Sequence, residues 1–391
     1  MTGVSSGVSV ALACGGTGGH LFPGLAVAQE LADRGARVVL FVSPKEIDQL
    51  SVHAARERFP VVTLPAVAFS VGRAGSFVAN TWKGYRVAME RFRQDRPAAV
   101  LAMGGFTSAA PVWAGRRCGA KAFLHESNVI PGRANRWLAR WADQGFVGFQ
   151  GAQSRWKIRR VSVTGTPVRA EVRDAERDRA CHALGLDPGR PVLLITGGSQ
   201  GAHGVNQLAL AAVPELARRH PRLQFVHLTG KADFPGVTEA YRRAGLPALI
   251  QPFLQRMDLA LAAATVAVSR SGASSLAELA ARRLPAVLIP YPQAADDHQR
   301  ANAEEFVRAG AAQVLDQTVA DGAALVDVLD GILGDDARRS QMMRALATLD
   351  TPEAARDIAE RIWNAIALPV SSRDRTAGVS PSPQPWPARL T

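Results

Sequence analysis

The sequence predicts an α/β protein made of two doubly wound, Rossmann-like units with parallel sheets. Three observations predict it. Apolar runs of strand length alternate with helical patterns along most of the chain, as they do where crossover helices join parallel strands. A glycine-rich strand-to-helix turn occurs twice, at residues 15–19 and 197–201, one for each unit of a tandem. At 391 residues the chain is long for one domain and sufficient for two cores.

Residues 8–14 (VSVALAC) read as the first strand, 24–34 as a helix and 38–42 as a strand. Residues 99–103 and 122–125 read as buried strands, each followed by glycine or a loop. The pattern restarts at 191–196 (PVLLIT), followed by GGSQGAHGVNQ and a helix over 205–218. LQFVHLTG (223–230), VAVSRSGASSLAELA (266–280) and PAVLIPYP (285–292) continue it. The join falls near 160–172, so an N-terminal unit is expected over 1–165 and a C-terminal unit over 166–351. One more amphipathic helix follows at 352–368. The tail, 369–391, is rich in Pro, Ser and Arg and is expected to be disordered.

The formal charge is +12. A basic balance suits phosphorylated ligands, anionic lipid or nucleic acid. No Lys/Arg-rich run with interleaved aromatics stands out, which argues against a nucleic-acid binder. The three cysteines lie far apart without a CxxC, so neither a disulfide framework nor a zinc site is expected, and a reducing cytosol is. Residues 8–13 are too short for a signal core. No membrane-crossing helix is expected, so membrane contact would be peripheral.

GGTGGH lacks the GxGxxG pattern with an acid about 20 residues on; residues 38–42 are apolar there and Ser43 follows. That weakens dinucleotide binding. The turn still offers N–H groups at a helix N-terminus, which suits an anion, although a tight turn can need glycine for its dihedrals alone. His20 stands at its lip, at the C-terminal end of the first strand, where open α/β sheets bind ligands. An imidazole there is a candidate general base. The second turn adds a hydroxyl at Ser199 for phosphate oxygens. SRSGASSLAELA sets Ser269, Ser271 and Ser274 around Gly272 and Glu278 on the emerging helix. That carboxylate can accept both hydroxyls of a ribose, or it can be an ordinary solvated helix residue.

Three further stretches carry polar or mixed candidates. In PYPQAADDHQRANAEEF, Gln299 and Asn302 can read sugar hydroxyls, or Asp296 or Asp297 caps a helix. In LHESNVIPGRANRWL a strand ends on His125, Glu126 and Asn128, with capping by Ser127 or Asn128 as the plainer reading. No Asp-x-Asp pair is present to hold a metal on a diphosphate. Metal- and cofactor-free chemistry is therefore expected, with helix dipoles and an arginine neutralising phosphates. Phe77, Val78 and Trp82 stand beside Lys83, Arg86, Arg91 and Arg93, and Trp113 beside Arg116 and Arg117. This is either a membrane-surface patch or a core helix with a charged outer face.

Taken in order, GGTGGHLFPGLAVA, MGGFTSAAP, LHESN, TGTPVR, GGSQGAHGVN, SRSGASSLAELA and DDHQRANA strongly resemble the MurG family of peptidoglycan glycosyltransferases, over residues 8–365. The resemblance implies a GT-B fold, with two Rossmann-like domains facing across a cleft and the last helix returning to the first domain. It implies inverting transfer of N-acetylglucosamine from UDP-GlcNAc to the muramoyl sugar of undecaprenyl-diphospho-muramoyl-pentapeptide (lipid I), giving lipid II. By motif position it implies that Thr17, Gly18 and Gly19 line the donor sugar, and that His20 is the base or a key polar group at the acceptor. Asn128 and Gln299 would contact the sugar, and Arg169 and Ser199 the diphosphate. Leu254 would face the uracil. Ala273, Ser274, Ser275, Leu276, Ala277 and Glu278 would cradle the nucleotide, with Glu278 on the ribose. The family's HEQN is HESN here, so Ser127 departs from the pattern. The family also implies a peripheral position on the cytoplasmic membrane face and partners in cell-wall synthesis and division. A sugar-nucleotide epimerase and a non-catalytic scaffold are rival classes, and a dinucleotide oxidoreductase is a third, disfavoured by the missing acid after the first turn.

Overall fold

A computed structural model describes residues 7–15, 18–44, 54–65, 74–198 and 201–367. Thr17, Ser199 and the tail 369–391 lie outside the described residues. The first sheet contains β1 (Ser9–Ala13), β2 (Arg37–Val42), β3 (Val61–Thr63), β4 (Ala99–Ala102), β5 (Lys121–Glu126), β6 (Gln144–Val147) and β7 (Val161–Val163), in the order 3-2-1-4-5-6-7. The second contains β8 (Val192–Thr196), β9 (Gln224–Leu228), β10 (Ala248–Gln251), β11 (Val266–Ser269), β12 (Ala286–Leu288) and β13 (Ala312–Val314), in the order 10-9-8-11-12-13. Every pairing is parallel, with Val10 opposite Val38 on one side and Ala99 on the other.

Helices cover both faces of each sheet, so the central strands are buried throughout. Their sequences are accordingly continuous apolar runs rather than alternating ones. In both sheets the strand order reverses at the first strand, β1 and β8. The crevice at such a reversal is where doubly wound sheets bind ligands, and a glycine-rich turn follows each of these two strands.

The first helix is Gly18–Asp33, six residues earlier at its start than the pattern of residues 24–34 suggests. Apolar spacing misses the start because its first turn is Gly18, Gly19 and His20. Gly24 lets this helix lie close on β1: a Cβ there would fall 2.7 Å from that of Cys14. The helix Ala354–Ala367 packs back on the first domain, where Ile358, Ala359 and Ile362 share a core with Val10, Leu12 and Leu31. Lys121 Nζ donates to the Ala365 carbonyl at 2.6 Å. Among the described residues no helix is long and apolar enough to cross a membrane.

Candidate active site

The two glycine-rich crevices face one another, and a pocket runs between them. It is lined from the first domain by Gly18, Gly19 and Phe22, and from the second by Thr196, Gly198, Leu254, Ser274, Ser275 and Glu278, among others. Two helix N-termini meet there. Ser274 Oγ donates across the domains to the Gly19 carbonyl at 2.7 Å. In the Ala273–Ala281 helix the first helical bond runs from Leu276 N–H to Gly272 O. The N–H groups of Ala273, Ser274 and Ser275 therefore precede the helical ladder and are the donors such an end offers to an anion.

Arg169 supplies the positive charge. Its guanidinium stacks over the Phe22 ring, 4.2 Å from the centroid. Its Nε is buried with no hydrogen-bond partner in the protein. A buried donor without an acceptor is costly, and a phosphate oxygen would satisfy it. Glu278 stands half-buried in the pocket wall. Burial pushes its carboxyl up to about 7, while the Arg169 charge pulls the other way. The pocket thus holds a carboxylate near its titration point and two sets of oriented N–H groups, with the Arg169 cation beside it against Phe22.

His20 is held at the lip by the glycine pair of MGGF. Gly104 and Gly105 have φ of +104° and +79°, backbone that favours glycine. A Cβ on Gly104 would come within 2.9 Å of His20 Cε1, and one on Gly105 within 3.1 Å of Cδ2. The imidazole therefore lies flush against bare backbone. Thr107 Oγ1 ties this loop to the Gly15 carbonyl at 2.6 Å. Behind it, His125 is fully buried, with Nε2 3.1 Å from Gly165 O and Nδ1 3.4 Å from Ser127 Oγ. Burial pushes His125 down to about 4, so it is neutral at working pH.

LHESN does not cap the next helix through Ser127 or Asn128. Gly132 occupies the cap position of Arg133–Leu138, with no side-chain cap. The organiser is the buried Glu126, whose Oε1 accepts from Asn128 N (2.9 Å) and Nδ2 (3.0 Å) and whose Oε2 accepts from Gly132 N (2.8 Å) and Asn135 Nδ2 (2.9 Å). Asn302 is not a reader of sugar hydroxyls. It is fully buried and bridges the domains: its Oδ1 accepts from Val129 N at 3.0 Å, and its Nδ2 donates to Asn128 Oδ1 at 3.0 Å and Ser271 O at 3.2 Å. Asp297 stands before the helix His298–Arg308 without capping it, and its carboxylate pairs with Arg300.

The remaining sequence candidates divide. Gln299 is half-buried in this helix and is not among the residues that line the pocket; its Oε1 accepts from Tyr291 N at 3.0 Å. Ala273 is buried and Ala277 half-buried. Leu276 is fully buried in the core of the second domain, with its N–H in the helical ladder, so neither its side chain nor its amide reaches the pocket. Pattern reasoning missed Phe22, Phe253 and Met257, which line the pocket. Phe22 had a signal, as a lone aromatic two residues past His20 among small residues.

The basic aromatic segment forms the helix Ala74–Gln94. Val78 is 65% and Trp82 62% exposed, Trp82 stacks on Tyr85, Lys83 and Arg86 are exposed and Phe77 is half-buried. Trp113 is half-buried in a cluster with Trp137 and Trp141 at 4.9 and 5.7 Å between ring centroids.

This arrangement defines a two-domain nucleotide-sugar protein, and the chain belongs to glycosyltransferase family 28. The family's N-terminal domain matches residues 10–147 and its C-terminal domain residues 192–362. The chain is 36% identical over 375 residues to the UDP-N-acetylglucosamine--N-acetylmuramyl-(pentapeptide) pyrophosphoryl-undecaprenol N-acetylglucosamine transferase of Pelobacter propionicus, covering 90% of this chain and 98% of that protein. The enzyme of the same name from Geobacter sulfurreducens is 35% identical over 353 residues, covering 88% of this chain and 96% of that protein. In fold the chain is similar to the crystal structure of Acinetobacter baumannii MurG (TM-score 0.68, 24% identity, covering 91% of this chain and 99% of that one). It is equally similar in fold to the UDP-GlcNAc 2-epimerase of Neisseria meningitidis bound to UDP-GlcNAc (TM-score 0.70, 13% identity, covering 91% of this chain and 100% of that one). The fold by itself therefore leaves the epimerase class open; sequence identity across nearly whole relatives separates the two.

Proposed function

We propose that this chain transfers N-acetylglucosamine from UDP-GlcNAc to the muramoyl sugar of lipid I, giving lipid II in peptidoglycan synthesis. The observation that carries it is a pocket between two helix N-termini, lined by Glu278 and Phe22, with Arg169 stacked on Phe22, acting on Glu278 and keeping a buried, unsatisfied donor, in a chain that matches transferases of that name over about nine-tenths of its length.

In this reading Glu278 accepts the ribose hydroxyls, and Leu254 and its neighbours enclose the uracil. Arg169, Ser199 and the N–H groups at Ala273 and Ser275 hold the diphosphate. Thr17, Gly18, Gly19, Asn128 and Gln299 surround the donor sugar. His20 takes the proton of the acceptor hydroxyl as its oxygen bonds to the anomeric carbon. The bond from that carbon to the diphosphate breaks, and the electron pair leaves with UDP. General base assistance supplies roughly 10²–10⁴-fold, and fixed donors stabilise the departing charge. Arg169 and the helix ends do the neutralising, so no metal is required.

The exposed Trp82, Val78, Lys83 and Arg86, with Trp113 nearby in sequence to Arg116 and Arg117, support peripheral binding to an anionic membrane on the cytoplasmic face. Contact with proteins of cell-wall synthesis and division belongs to the same reading. The test is UDP release with and without a lipid I analogue, with anionic or neutral vesicles, and with or without chelator. Release that requires the acceptor and ignores the chelator supports the proposal. Release without acceptor, together with epimerised sugar, contradicts it.

A further inference from the structure

The second domain carries another concavity, of about 460 Å³, at the end opposite the nucleotide pocket. Pro191, Thr265 and Pro285, the residues just before β8, β11 and β12, line it. Thr196 and Ser269, which end β8 and β11, line the nucleotide pocket. The two cavities thus lie at opposite edges of one sheet.

Five arginines line this second cavity, Arg177, Arg190, Arg282, Arg283 and Arg339, and no carboxylate does. Among the described residues only Arg339 of these five forms an ion pair, with Asp336. Among the described residues Arg177 bonds to the carbonyls of Ala263, Ala264 and Arg190 and to the Thr265 hydroxyl. Arg190 bonds to the Arg222 carbonyl, and Arg282 to those of Val172 and Arg173. Carbonyls orient a guanidinium without cancelling its charge; Asp174 acts on Arg282 only through space. Arg282 Nε is also buried without an acceptor. Arg283 is exposed at the mouth.

We propose that this cavity is a second anion site, taking a phosphate monoester or diphosphate group separately from the nucleotide. Guanidinium forks match phosphate geometry, and a concavity walled by one sign of charge concentrates counter-ions. The Ala273–Ala281 helix joins the two sites: Ser274, Ser275 and Glu278 line the nucleotide pocket, while Arg282 and Arg283 follow its C-terminus.

The test titrates inorganic pyrophosphate into full-length protein already saturated with UDP, by calorimetry. One further site is expected, weakened about tenfold in Arg282→Gln and in Arg283→Gln, with UDP affinity changed less than about twofold. Arg283 is exposed, so its variant keeps the test valid if Arg282→Gln does not fold. A second arm measures co-sedimentation with phosphatidylglycerol or phosphatidylcholine vesicles. Binding to the anionic vesicles alone that falls in Arg283→Gln assigns the phosphate to a lipid headgroup. The proposal is overturned if pyrophosphate shows no site beyond the one UDP occupies and vesicle binding is unchanged by Arg283→Gln, or if both variants bind pyrophosphate as the wild type does.

Discussion

The Ser274 hydroxyl of the second domain donates to the Gly19 carbonyl of the first at 2.7 Å. That carbonyl is available for a reason written in the sequence. Its helical partner would be the N–H four residues on, and that residue is Pro23, which has none. The proline leaves an acceptor exposed at the start of the helix, and the facing helix uses it. Pro23→Ala restores the missing donor and sets it in competition with Ser274. A contact of about 0.5–1.5 kcal/mol should then weaken, shifting the balance of closed and open cleft two- to tenfold. Distances between spin labels in the two domains should broaden toward longer values; an unchanged distribution would refute the role given to Pro23.

Glu278 gives a prediction with a definite sign. Its ordinary value is 4.5, and in the folded chain burial raises it to about 7. Between those values the folded chain keeps a proton that the unfolded chain releases. The stabilisation is complete below about pH 4.5 and is lost as pH rises through about 7. Glu278→Gln stays neutral, so it should be more stable than wild type at pH 8, by up to about 3 kcal/mol, and no more stable below pH 4.5. Denaturant melts at both pH values check this.

The same carboxylate should matter to the nucleotide through the ribose. Glu278→Ala is expected to weaken UDP about tenfold or more, as loss of a hydrogen-bonded charge does. It should leave a 2′,3′-dideoxy analogue nearly unaffected. Equal losses for the two ligands in calorimetry would remove Glu278 from the ribose.

Gly104→Ala is expected to act on His20 without touching the donor. The added Cβ meets His20 Cε1 at 2.9 Å, and φ of +104° strains any L side chain. Turnover should fall at least tenfold, while UDP affinity stays within about twofold, since orientation of a base controls rate more than binding. Steady-state rates and calorimetry on the same preparation separate the two.

Asn302→Ala should destabilise the whole chain. It leaves Val129 N–H without its acceptor and cuts two further bonds, one of them between domains. A loss of about 1–3 kcal/mol is expected for a buried group left unsatisfied, read as a lower urea midpoint.

The central strands were legible because residues buried on two faces must be apolar over their whole length, and the glycines after β1 and β8 because Gly15 and Gly197 leave no room for a Cβ. The edges were harder. The three-residue strands Val61–Thr63 and Val161–Val163 are half-exposed and carry too little pattern to stand out. Glu278 was legible by position, although its raised pKa depends on burial that no local spacing reveals. Asn302 looked like a sugar reader because a polar residue on a polar helix gives no hint of a partner 173 residues away, at Val129. Leu276 was misplaced because a motif read as a block cannot tell the inward face of a helix from the outward one.

His20 acts in this mechanism as the base in GlcNAc transfer to a lipid-linked muramoyl sugar. The most direct measurement follows labelled GlcNAc from UDP-GlcNAc to a lipid I analogue, for wild type and His20→Ala, with UDP-GlcNAc affinity determined alongside. Wild type should form the labelled disaccharide lipid, and His20→Ala should be slower by roughly 10²–10⁴-fold with donor affinity kept. Transfer by His20→Ala at the wild-type rate would rule out His20 as the base, and no transfer by wild type would rule out the activity itself.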